Sequence, residues 1–138
     1  MDEKPLIKYT WSYSSLDLFK QCPYNYYRLR VKKDIKEPPS TQMTYGLEAH
    51  KVAEEFIRDG TPIPEQFAFM REPLELLRKR EGKHLCEYKL GIDRNFNPCD
   101  FYDKDVWWRG IADLIILKGD RALVVDYKTG KSSKYADT

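Results

Sequence analysis

The sequence predicts an α/β fold, and two observations carry the prediction. Up to Glu81 the apolar residues recur near helical spacing, with capping and stop residues at the expected places. After Gly82 the period falls to two, and a Gly-Asp pair divides the final apolar stretch into two strands. The composition agrees. With 41% hydrophobic residues, 7 Gly and 8 Pro, the 138-residue chain is neither disordered nor fibrous. Its length suits one domain, or part of one.

Each element follows from local chemistry. Ser14, three residues before Asp17, reads as a capping box opening a helix over residues 14–21. Pro23 restarts the helix for residues 23–31, and the prolines of residues 36–40 mark a loop. Leu47, Ala53, Phe56 and Ile57 give residues 44–59 a helical apolar face that stops at Gly60. On that helix His50 and Glu54 are four apart and share a face. A further helical region, residues 65–81, is expected to break at Pro73.

In the strand over residues 85–92, Cys86, Tyr88, Leu90 and Ile92 should share one face, with Glu87 and Lys89 on the other. An irregular connection rich in Asn, Asp and Pro leads to strands at residues 106–117 and 121–127. No internal repeat or composition shift marks a second domain, so residues 1–138 are expected to form a single one.

No apolar run approaches the ~20 residues that span a bilayer, and no apolar stretch follows the N-terminus as a signal peptide requires. The expectation is a cytoplasmic protein without a membrane partner. Cys22, Cys86 and Cys99 are odd in number and include no CxxC pair, against a disulfide framework or a self-contained zinc site.

The formal net charge is only +2, but Lys20, Arg28, Arg30, Lys32, Lys33 and Lys36 cluster beside Tyr24, Tyr26 and Tyr27. Such a segment can neutralise phosphates and stack on bases. It can equally be an amphipathic helix with a solvated basic face.

The last hairpin concentrates the chemistry. With Gly119-Asp120 as a two-residue type II′ turn, Lys118 faces Arg121, and the same register sets Asp113 opposite Asp126. Two carboxylates facing one another among Ile, Leu and Val repel, and burial sharpens the penalty. A shared proton, a basic side chain or a divalent cation would relieve it. Lys128 emerges on the same face as Asp126, opposite Ile111. The cluster therefore reads either as an ion-pair network bridged by Lys128 or as an oxygen-donor site for Mg²⁺ or Mn²⁺.

Gly110-Ile111-Ala112-Asp113, followed by Val125-Asp126-Tyr127-Lys128-Thr129-Gly130-Lys131, resembles the GxxD…DYKTGK signature of RecB-like nucleases in the PD-(D/E)XK superfamily. Ser12 to Leu16 leading to Cys22-Pro23, and Gly46-Leu47-Glu48-Ala49-His50, resemble that family's opening S-x-S-x-L…CP helix and its GxxxH motif. The resemblance runs from about Trp11 to Lys131 and is similar to phage or bacterial exonuclease-type enzymes.

The resemblance implies a restriction-endonuclease-like core, a central mixed β-sheet flanked by helices. It implies Mg²⁺ or Mn²⁺ held by His50, Asp113, Asp126 and the Tyr127 carbonyl, with Lys128 acting on the attacking water and on the phosphate. DNA, single- or double-stranded, would be the substrate, contacted by Arg28, Arg30, Lys32, Lys33 and Lys131, and a helicase or recombinase the partner. Glu87 is a candidate accessory acid, an exposed strand acid being the simpler reading. His50, without the hairpin, would read as a hydrogen-bonded core histidine.

Cys86 and Cys99 do not match the family's iron–sulfur positions, so no cluster is expected and Cys22 should pack under the first helix. The family also continues into a further helix and strand, so a C-terminal helix and strand are expected to be missing and the chain to be the N-terminal part of a longer domain. A binding module without catalysis, or a structural interaction domain, are the competing readings. Gly130-Lys131-Ser132 is no P-loop, because Val125 stands where the glycine is required.

Overall fold

The structure is a computed structural model that describes residues 9–129. Lys131 lies outside the described residues. The elements run α1 (Tyr13–Gln21), α2 (Pro23–Tyr26), a π-helical segment (Tyr27–Lys32), α3 (Thr41–Asp59), a 3₁₀ segment (Glu65–Met70), α4 (Arg71–Lys79), β1 (Lys83–Ile92), β2 (Pro98–Cys99), β3 (Trp108–Lys118) and β4 (Arg121–Val125). The sheet order is β2-β1-β3-β4. β1 pairs with β2 and β3 with β4 as antiparallel ladders, and an isolated parallel bridge joins Trp11 to Trp108. The expected α/β class, helices beside a β-sheet, is what the chain forms.

Two compact units divide the chain. One comprises residues up to Pro38 with Lys89–Ile111, the other Pro39–Tyr88 with residues from Ala112 onward. In the first, Trp11 stacks on Tyr26 at 5.2 Å and meets Phe19 edge-on at 5.9 Å, while its backbone bonds to Trp107 and Arg109. The N-cap of α1 is Ser12, not Ser14. The Ser12 amide donates to Ser15 Oγ, and the Ser15 amide to Ser12 Oγ, so the reciprocal bond forms three residues on with a serine in place of an acid. Pro23 restarts the helix as expected, at a first-turn position where its missing N–H is harmless. Cys22 is exposed rather than packed under α1.

The second unit has its core between α3, the 3₁₀ segment, α4 and the hairpin. Ala49, Ala53 and Ile57, four apart on α3, pack with Phe67, Met70, Leu74, Leu114 and Ile116. Leu47, read from the sequence as part of that face, points to solvent at 69% exposure. Pro73 does not break α4, because as its third residue it has no intrahelical acceptor to lose. The irregularity lies at Phe67, whose φ of −112° interrupts the preceding turn.

Along β1 the expected alternation fails at Glu87, whose φ of 48° is left-handed. Cys86 packs against the core, but Tyr88 and Leu90 are exposed. The β3–β4 register is as expected, from Leu114↔Val125 to Lys118↔Arg121. Gly119 takes φ 59° and Asp120 keeps a negative φ, as a type II′ turn requires.

Candidate active site

The site is built in the second unit where α3 approaches the hairpin. Asp113 is buried in the middle of β3. Its Oδ2 accepts the Tyr127 amide at 2.7 Å and faces His50 Nε2 at 3.2 Å. His50 Nδ1 lies 2.8 Å from the Gly46 carbonyl, one turn back on α3. A carbonyl only accepts, so Nδ1 carries a proton, and Nε2 is the ring nitrogen turned towards Asp113.

The two carboxylates of the site are shifted in opposite directions. Burial pushes the Asp113 carboxyl above the usual range, and its hydrogen bond with Asp126 adds to this, against the pull of the Tyr127 amide and of His50. Asp126 moves the other way. Burial acts upward on it too, but hydrogen bonds with Lys128 and Asp113, and the charges of Lys128 and His50, bring it below. Of the two, Asp113 is the acid that takes up a proton first as pH falls.

Asp126 and Lys128 follow the end of β4. Lys128 Nζ lies 2.5 Å from Asp126 Oδ2, and the side chains are 63% and 60% exposed. Lys128 therefore engages the outer acid rather than sitting buried between both. Tyr127 packs against the core and meets His50 edge-on at 5.7 Å, so its ring is structural. The contact it gives Asp113 is its amide.

Glu87 is half-buried, not an exposed strand acid. Burial raises its carboxyl, and the charges of Asp113 and Glu54 raise it further. The left-handed turn at Glu87 is the reason a simple alternation misplaced it. Glu54 accepts Arg58 at 2.6 Å, so the orienting partner of His50 is Gly46 and not Glu54. That role was legible only in the four-residue spacing of Gly46 and His50.

Among the described residues no three His, Cys, Asp or Glu side chains are grouped as a ready metal cage. The donor set nonetheless fits a hard divalent cation: an imidazole held through Nδ1 by the Gly46 carbonyl with Nε2 turned to Asp113, and the neighbouring carboxylates of Asp113 and Asp126.

Of the sequence-derived basic residues, Arg28, Arg30, Lys32 and Lys33 lie in the first unit. Arg28 bonds Asp34 and Tyr24, and Lys32 also reaches Asp34, whereas Arg30 and Lys33 have no carboxylate partner among the described residues. No described helix is long and apolar enough to cross a membrane.

No curated protein and no solved structure matches the chain. The family model of the PD-(D/E)XK nuclease superfamily matches residues 10–138, which include α3 and the hairpin with both acids and the lysine. On that match the chain belongs to the PD-(D/E)XK nuclease superfamily.

Proposed function

We propose that the chain is a RecB-like nuclease that hydrolyses DNA phosphodiester bonds with Mg²⁺ or Mn²⁺, more in the manner of an exonuclease, in phage or bacterial DNA processing. The observation that carries the proposal is the convergence of His50 Nε2 on Asp113 Oδ2 beside the Asp126–Lys128 pair.

His50, Asp113 and Asp126 would hold the ion, with the Tyr127 carbonyl as a further ligand. When bound, the ion lowers the pKa of water and offsets charge on the phosphate. The chain's own groups do the rest. Gly46 fixes the His50 tautomer, and the Tyr127 amide fixes the Asp113 carboxylate. Lys128, exposed at the edge of the pair, can donate to the attacking water and through its charge favour loss of the water's proton to solvent, or donate to the phosphoryl oxygens. Water adds to phosphorus, the bond to the sugar oxygen breaks, and that oxygen takes up a proton. A helicase or recombinase partner belongs to the same proposal.

The Asp126 carboxylate, turned towards Lys128, favours one other reading, an inactive nuclease-like module that binds DNA or protein. Degradation of end-labelled DNA in Mg²⁺ or Mn²⁺ separates the two. Loss of cleavage in Lys128→Ala and Asp113→Asn is expected; cleavage that survives both substitutions would overturn the site.

A further inference from the structure

In the first unit a cleft of about 360 Å³ is lined by Arg30, Lys33 and Arg109 and by the hydroxyl-bearing Tyr26. No acidic residue lines it. None of the three cations has a carboxylate within ion-pair distance among the described residues, unlike neighbouring Arg28 and Lys32, which share Asp34. Three like charges around one concavity repel unless an anion enters.

The cations are also positioned. The Arg109 guanidinium lies over the Phe101 ring at 4.4 Å and donates through Nη1 to the Phe101 carbonyl at 3.1 Å, which leaves most of its donors unused. Lys33 ends the π-helical segment in a left-handed conformation, φ 57°, with its amide bonded back to Arg28. Tyr26 is buried, at 7% exposure, its ring fixed against Trp11 and Phe19, yet its hydroxyl has no hydrogen-bond partner among the described residues. The Thr10, Ser12 and Ser15 hydroxyls at the rim are already committed, to the Val106 carbonyl and to the α1 cap.

We propose that this cleft binds a phosphate group of the nucleic-acid strand, with Arg30, Lys33 and Arg109 as the charge partners and the Tyr26 hydroxyl as a neutral donor. The identity of the ligand as a strand phosphate rests on the nuclease reading above; the anion preference rests on the cleft. A terminal monoester and an internal diester present the same oxygens, and both fit this chemistry.

The test is fluorescence anisotropy of the full chain with labelled single-stranded oligonucleotides, 5′-phosphorylated or 5′-hydroxyl, in EDTA so that no cleavage occurs. Arg30→Gln/Lys33→Asn should weaken binding at least tenfold and reduce the slope of log K against log salt by about 0.7, the counterion release of the one phosphate that the cleft neutralises. Lys51→Gln/Lys79→Gln removes the same charge from exposed positions and should leave the slope unchanged. Tyr26→Phe, which keeps the ring, should weaken binding roughly threefold at unchanged slope. A 5′-phosphate preference lost in Arg30→Gln/Lys33→Asn assigns the monoester; equal binding of both oligonucleotides, with the same mutant loss, assigns the diester. Equal effects from the two charge-removing pairs, or no loss with circular dichroism unchanged, overturn the cleft. Intact binding effects in a chain that cleaves no DNA would instead overturn the nuclease reading and leave the cleft standing.

Discussion

His50 Nε2 stands 3.2 Å from Asp113 Oδ2 while its other ring nitrogen is occupied by the Gly46 carbonyl at 2.8 Å. Both ring nitrogens are thus engaged, one by its own helix and the other by the acid of β3. This pairing joins α3 to the hairpin chemically, over 63 residues of sequence.

That geometry predicts a metal response. Mn²⁺ should raise the melting temperature of the chain, and His50→Ala should weaken apparent Mn²⁺ affinity by at least the roughly 10–100-fold that loss of a partner orienting a ligand typically costs. Isothermal titration measures it directly. An unchanged affinity in His50→Ala would remove the histidine from the ligand set.

The acid pair predicts a pH dependence whose sign is fixed. Asp113 titrates above its unfolded value, so its contribution to stability is largest when it is protonated and falls as pH rises through the raised value. Asp126 titrates below its unfolded value, so its contribution is present above the ordinary carboxylate range and is lost as pH drops through the lowered one. In EDTA, Asp113→Asn should therefore gain stability relative to wild type as pH is raised from about 4 to 7, the ordinary Asp pKa being about 3.9. Urea denaturation across that range gives the difference, and a gap that narrows with rising pH contradicts the assignment.

Two glycines should differ sharply under the same substitution. Gly119→Ala meets no atom within 4 Å and costs only the left-handed conformation, about 1 kcal/mol. Gly82→Ala would set its Cβ 2.5 Å from the Leu117 carbonyl oxygen, a backbone atom, and should cost more than about 2 kcal/mol. Equilibrium unfolding of both variants ranks them.

The Tyr127 hydroxyl is buried without a hydrogen-bond partner among the described residues. Tyr127→Phe removes an unpaid desolvation cost while keeping the ring and the amide, and is expected to stabilise the chain by about 1 kcal/mol. A midpoint shifted downward in urea would mean that the hydroxyl has an acceptor in solution.

What could be read from the sequence was what depends on short-range chemistry. The Gly119-Asp120 turn fixes the hairpin register, and the register brings Asp113 beside Asp126. Gly60 stops α3 in the left-handed cap its position demands, φ 73°. Tertiary choices were less legible. Ser12 and Ser14 are both competent caps, and only the reciprocal bond to Ser15 selects Ser12. Leu47 and Ala49 both fit a helical face, but close approach to Leu114 and Ile116 selects the small residue. Glu87 could not be placed by counting, because a left-handed φ at a glutamate leaves no local signature. Arg109 lay in a strand, away from the basic segment that composition picks out.

One consequence concerns Asp113. The ladder between β3 and β4 closes at Val125, and the next available amide, that of Tyr127, is taken by the Asp113 side chain rather than by a backbone carbonyl. The same carboxylate thus finishes the sheet and, on the proposed function, serves the reaction. Asp113→Ala would confound the two by freeing a backbone donor, whereas Asp113→Asn keeps an acceptor for it. Substitution at this position answers to two masters, folding and chemistry, and only an isostere lets an experiment ask about one of them.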